Sequence, residues 1–146
     1  MSRWDRERLL AAPPPAFRRP RVVGFQEVDA AGIVFYGRFF DWFHDVYVDA
    51  LADSGHPLPQ ALREQRWIAP LVHAAADYLS PLRFGDRIEV GLVGADATAD
   101  RLSLGWRVTA GERIAAVGVT VHVFVSPATF ERAPMPDTLR SWFTGR

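Results

Sequence analysis

Residues 28–40 read VDAAGIVFYGRFF, and they place one carboxylate, Asp29, ahead of two alanines and a glycine, then an apolar run that ends in aromatics. Gly32 can adopt backbone angles that other residues avoid, so Asp29–Gly32 reads as a turn. A helix is predicted beyond it, over residues 36–54. Phe39, Phe43 and Tyr47, with Phe40, Val46 and Ala50, recur at spacings of three and four and form one broad apolar stripe. Asp41, Asp45 and Asp49 line up on another face of that helix and read as its solvated side. Gly55 supplies a C-cap and Pro57 blocks continuation.

Strands surround the helix. Residues 21–28, RVVGFQEV, carry the β-branched and aromatic content of a strand. Further strands are expected over residues 66–79 and 87–95, and residues 101–109 and 113–125 alternate about the TAGER turn as a hairpin. A short helix is expected over residues 137–143. One antiparallel sheet with a sticky face needs a cover, and a long helix apolar around much of its circumference supplies it. The expected class is α+β, an antiparallel sheet wrapped around one long central helix, in a single domain over residues 21–146. Residues 1–20, MSRWDRERLLAAPPPAFRRP, read as a loose or surface-draped leader: charges interrupt its Leu-Leu-Ala-Ala patch and three prolines follow, unlike a signal peptide.

Composition removes several chemistries. The 146 residues carry 17 basic and 17 acidic side chains, net zero, without a like-charged run, so neither nucleic acid nor a membrane surface is an expected partner. No apolar run approaches the roughly 20 residues needed to span a bilayer. Every basic residue is arginine, which excludes lysine Schiff-base chemistry. Cysteine is absent, which removes disulfides and thiol catalysis and fits a cytoplasmic location. There is no G-x-S-x-G elbow and no phosphate-cradling glycine motif. The four histidines, His44, His56, His73 and His122, stand at non-ligand spacings, so no metal site is expected. His122 reads as a strand residue with its polar needs met or half exposed, and His73 as a packing residue beside a strand kink. Glu27 and Asp29 would share a face of a strand, but no long polar sugar cleft accompanies them as a glycosidase acid pair requires.

Asp29 thus precedes a turn that feeds a helix. The first amides of a helix are unsatisfied and carry the positive end of its dipole, a ready site for an oxygen that becomes negative in a reaction. A carboxylate nearby could attack a carbonyl or activate water. On the residues alone, Asp29 is open to a second role as a turn cap.

The stretch from Asp29 to Phe39 resembles the signature D-x-[AG]-G-[IV]-V-[YFW]-[YH]-x-x-[YF] of hotdog-fold thioesterases of the 4-hydroxybenzoyl-CoA thioesterase family. HDVYVDALADSGHPL and APLVHAAADYLSPLRFGDRIEV are similar to that family's helix exit and second strand, and also to the branch that cleaves 1,4-dihydroxy-2-naphthoyl-CoA. The resemblance spans about residues 20–126 and implies a hotdog-fold acyl-CoA thioesterase, with an aromatic acyl group slightly favoured. It implies Asp29 as nucleophile or general base, and the amides at Tyr36 and Gly37 as the oxyanion site. Gly32 matches the turn glycine, and Phe35 and Phe39 fall beside the substrate. His73 and Asp77 match strand positions near the acyl pocket. The chain departs from the family at Arg38 and Phe39, where asparagine and tyrosine are common, and in DATADRLS, where Arg101 alone remains of a basic cluster used on the CoA phosphates. A carrier-protein thioester is therefore an alternative substrate, and a non-catalytic acyl-CoA-binding sensor an alternative function. The resemblance further implies a homodimer, paired into a homotetramer, and no cofactor beyond the coenzyme A of the substrate.

Overall fold

In the computed structural model, which describes residues 4–145, the aromatic stripe of the long helix lies flat on a sheet. The elements are α1 (Arg6–Ala11), β1 (Phe17–Val22), a single 3-10 turn (Phe25–Glu27), α2 (Arg38–Asp53), α3 (Leu58–Arg63), β2 (Leu71–Tyr78), β3 (Arg87–Ala97), β4 (Arg101–Ala110), β5 (Arg113–Val123) and α4 (Asp137–Thr144). The five strands form one sheet in the order β1-β3-β4-β5-β2, and every pairing is antiparallel. α2 crosses one face with Trp42, Phe43, Val46, Tyr47, Ala50 and Leu51 buried. Phe43 stacks on Trp106 of β4 with ring centroids 5.6 Å apart. That approach needs a bare backbone on β5: a Cβ at Gly118 would lie 2.6 Å from the Phe43 ring. The expected hotdog architecture, one sheet around one helix, is the architecture observed. Among the described residues no helix is long and apolar enough to cross a membrane.

Several boundaries differ from expectation for identifiable reasons. The first strand is Phe17–Val22, because the chain leaves the sheet at Gly24, where the Glu27 carboxylate accepts the Gly24 N–H at 2.8 Å and closes the 3-10 turn. α2 starts at Arg38, two residues late, leaving Tyr36 and Gly37 outside the helix. β2 starts at Leu71 because α3 occupies the preceding connection and Pro70 ends it, with Ile68 making only an isolated bridge to Val125. The acid row on α2 is solvated as expected, with Asp49 paired to Arg19 at 3.2 Å and Asp41 to Arg38 at 3.5 Å.

Residues 1–3 of the expected leader lie outside the described residues. Of the rest, residues 17–20 form most of β1, and α1 packs on the sheet face opposite α2. Asp5 caps α1 through the Arg8 N–H at 2.8 Å, and Leu9 is buried. The Arg107 guanidinium of β4 donates to the carbonyls of Ala12 and Pro13, at 2.8 and 2.9 Å, and so satisfies the end of α1.

Candidate active site

The loop between β1 and α2 is fixed from beneath by a buried acid. Glu27 is 5% exposed and accepts hydrogen bonds from Gly24 N, the Trp42 indole and Arg21 Nη2, the last at 2.9 Å. Burial by itself would raise the Glu27 carboxyl, but these donors outweigh it and hold the group below the usual range. The Glu27 carbonyl then accepts Phe35 N at 2.9 Å, and Val34 N reaches Leu82 O at 2.8 Å. These bonds clamp both legs of the Asp29–Ile33 turn.

Within the turn, Asp29 N donates to Ile33 O and Gly32 N to Asp29 O, each at 2.9 Å. Gly32 takes φ +81°, where a side chain would be strained. Asp29 Oδ1 accepts Ala31 N at 2.8 Å, so the carboxylate does brace its own turn. Its other oxygen has no partner among the described residues, and the residue is exposed. Glu27 and Asp29 therefore do not act as a pair: one is buried in an ion pair, the other free at the surface.

Following the turn, Phe35 and Tyr36 expose 45% and 64% of their surfaces, with rings 4.5 Å apart. The backbone N–H groups of Tyr36 and Gly37 meet no acceptor among the described residues. They stand at the entry to α2, where the helix dipole adds positive potential. A largely apolar cavity of about 290 Å³ opens beside them, walled by Ile33, Val34, Tyr36, Phe39, Tyr78 and Leu82. Tyr78, at the end of β2, donates its hydroxyl to Tyr36 O at 2.9 Å and packs edge-on against Phe39. Burial, and then the nearby Tyr36, push the Tyr78 phenol up, so it remains a donor at neutral pH.

Asp29, Gly32, Phe35, Tyr36, Gly37 and Phe39 are thus gathered on one turn and helix start. Two other expected site residues lie elsewhere in the chain. His73 is on the sheet face that α1 covers, in a shallow cavity with Trp4, Leu9, Asp77 and Val119. Arg101 opens β4 opposite Val123, at the Leu71 end of the sheet, whereas the cavity lies at the Tyr78 end, opposite Ala116. Tyr78 and Leu82 are cavity residues that sequence reasoning did not single out. The Pro81 that follows β2 was the available signal, since it marks where that strand stops against the turn. Among the described residues no group of three or more histidines and carboxylates could hold a metal ion.

A carboxylate with a free oxygen, on the turn that leads to free amides beside an apolar cavity, suits attack on an acyl carbonyl, and similar proteins are named for acyl-CoA hydrolysis. Over 123 residues, 84% of this chain and 90% of the relative, the sequence is 32% identical to a 1,4-dihydroxy-2-naphthoyl-CoA hydrolase of Synechococcus elongatus. The crystal structure of a 1,4-dihydroxy-2-naphthoyl-CoA thioesterase from Synechocystis superposes with a TM-score of 0.81 at 27% identity, covering 87% of this chain and 94% of that one. A gentisyl-coenzyme A thioesterase superposes with a TM-score of 0.77 at 25% identity, over 87% of this chain and 99% of the other. The model of the thioesterase-like superfamily matches residues 23–143, which take in the turn, the central helix and all of the sheet except β1, and the chain belongs to that superfamily.

Proposed function

We propose that this protein hydrolyses aromatic acyl-CoA thioesters to the free acid and coenzyme A. The observation that carries this is the Asp29 carboxylate, with one oxygen free, on the turn that leads directly to the unsatisfied amides of Tyr36 and Gly37 beside an apolar cavity. The thioester carbonyl oxygen binds at those amides, which stabilise it as it becomes negative. The free Asp29 oxygen adds to the carbonyl carbon, the carbon–sulfur bond breaks and coenzyme A leaves as thiolate. Water then cleaves the mixed anhydride, restores the carboxylate and protonates the thiolate. In the general-base form of the step, Asp29 instead takes a proton from the attacking water and passes it to the departing sulfur. These groups supply the whole reaction, so no cofactor is needed beyond the coenzyme A of the substrate.

The proposed assembly is a homodimer formed edge to edge through β2, with dimers paired into a homotetramer. β2 is a sheet edge with its side chains facing solvent, and Leu71, Val72 and Tyr78 are each about half exposed. Such an edge invites pairing with an identical strand. Antiparallel pairing along its length sets Leu71 of the partner subunit opposite Tyr78. The sheet end that carries Arg101 of the partner subunit then faces the Tyr36 cavity and offers a cation for the CoA phosphates. A panel of aryl- and alkyl-CoA thioesters read by free-thiol release tests the function. Hydrolysis of aryl esters at catalytic rates is expected. Binding without turnover would make the protein an acyl-CoA sensor, and turnover of carrier-protein thioesters alone would change the substrate.

A further inference from the structure

His73 and Asp77 stand on the sheet face that α1 covers, whereas the Tyr36 cavity opens on the α2 face. With Ala75 between them, they line one shallow cavity under Trp4 and Leu9. They lie opposite Val121 and Val117 of β5. Along the strand they are about 13 Å apart. Both are exposed, and neither has a hydrogen-bond or ion-pair partner among the described residues. Asp5 and Arg6 share the cavity but pair with neither of them.

The strand that carries them pairs with β5 along one edge only, so its other edge presents free backbone N–H and C=O groups. Residues 73–77 read His-Ala-Ala-Ala-Asp, a donor and a carboxylate at equal distances from Ala75. Imidazole donates a hydrogen bond in either protonation state, and a carboxylate accepts one. Two copies paired about a two-fold axis keep like faces together, and side chains alternate faces along a strand, so the axis passes through one residue and not between two. Centred on Ala75, antiparallel pairing sets His73 of each subunit opposite Asp77 of the partner subunit. Ala74 then meets Ala76, and the bulged Leu71–Val72 step falls beside Tyr78. The three alanines supply no preference of their own. Centred on Ala74 or Ala76, the strands would set His73 against Ala75 or Leu79, and one subunit would slide roughly 7 Å along the other.

We propose that this segment is self-complementary: in the dimer His73 of each subunit pairs with Asp77 of the partner subunit, and the two pairs select the register that brings Arg101 of the partner subunit to the Tyr36 cavity. This rests on the β2-edge dimer proposed above. An edge built only to repel other strands carries like charges. Here a donor and an acceptor are arranged to match their own copy and no displaced one.

Single-cysteine variants read the register directly, because the chain has no cysteine of its own. Ala75→Cys should oxidise to a covalent dimer, whereas Ala74→Cys and Ala76→Cys, about 7–8 Å from their own copies, should not. A charge-exchange cycle reads the pair. His73→Asp and Asp77→Arg should each raise the dimer dissociation constant about ten-fold in sedimentation, since like groups then meet twice per dimer. The double variant should return to within about three-fold of wild type. Cross-linking at position 74 or 76 in place of 75, or losses that simply add in the double variant, would overturn the pairing while the dimer and the thioesterase function stand. A wild type that sediments as a monomer would overturn the dimer and the pairing together, whatever its turnover of aryl-CoA esters.

Discussion

The hydroxyl of Tyr78, at the end of the edge strand, donates to the backbone carbonyl of Tyr36 at 2.9 Å. In a trans peptide the carbonyl and the following N–H point in opposite directions. By gripping Tyr36 O, Tyr78 therefore fixes the plane of the Tyr36–Gly37 peptide and with it the direction of the Gly37 N–H. Tyr78→Phe keeps the ring packed on Phe39 and removes only this restraint. It should lower kcat about ten-fold, the worth of one hydrogen bond, with KM nearly unchanged and little effect on the melting temperature. Steady-state kinetics check this, and an effect confined to KM would instead make Tyr78 a substrate contact.

Acid should weaken the fold through His122. Its folded pKa, about 4, lies below the ordinary histidine value of 6.5, with burial the largest cause and the neighbouring His44 acting in the same direction against the Ala69 hydrogen bond. The unfolded chain takes up the proton first as pH falls. The stability held above pH 6.5 is therefore lost between pH 6.5 and 4, by an amount on the order of 3 kcal/mol. Glu27, with its lowered folded pKa, adds a further loss below the normal carboxylate range. Denaturant midpoints from pH 8 to 4 should fall along this course, and His122→Gln should flatten the upper part of it.

Assembly and activity should fall together. Light scattering at micromolar concentration should give at least a dimer, and paired lysines at Ala74 and Ala75, near the centre of β2, should dissociate it by placing like charges opposite one another. The monomer should lose most of its activity, because the proposed dimer draws Arg101 from the second copy. In the dimer, Arg101→Ala should raise KM for CoA esters more than it lowers kcat. An unchanged KM would move the phosphate contacts to Arg83 or Arg87, beside the exposed Phe25–Phe84 pair.

What the sequence showed, and what it hid, follows from which interactions are local. The apolar periodicity of α2 and the hairpin about TAGER depend on short-range spacing, and both elements stand where that spacing puts them. The Asp29–Gly32 turn was equally legible, since one continuous segment supplies it, whereas α2 begins two residues beyond the expected start. Where Arg101 and His73 lie relative to that turn was not legible, because their positions depend on strand register and on which sheet face each occupies. Strand register likewise delivers Tyr78 to Tyr36. The early end of β1 escaped detection because a buried Glu27 ion pair, invisible in a pattern of β-branched residues, overrides strand propensity there. The docking of the leader was not legible because the features that hold it, bare glycines at positions 94 and 105 and the Arg107 cap, lie some ninety residues away in the chain.

Substitution of Asp29 by asparagine tests the central claim most directly. Asparagine preserves the size of the side chain and an oxygen for the Ala31 N–H, so the turn remains braced. It removes the anionic oxygen that attacks the carbonyl or takes a proton from water, an effect typically of about 10²–10⁴-fold or more in rate. Asp29→Asn should therefore nearly abolish thioester hydrolysis, with the melting temperature and the affinity for a non-hydrolysable CoA thioether little changed. A variant that melts several degrees lower but keeps most of its activity per folded molecule would make Asp29 a structural cap and contradict the account.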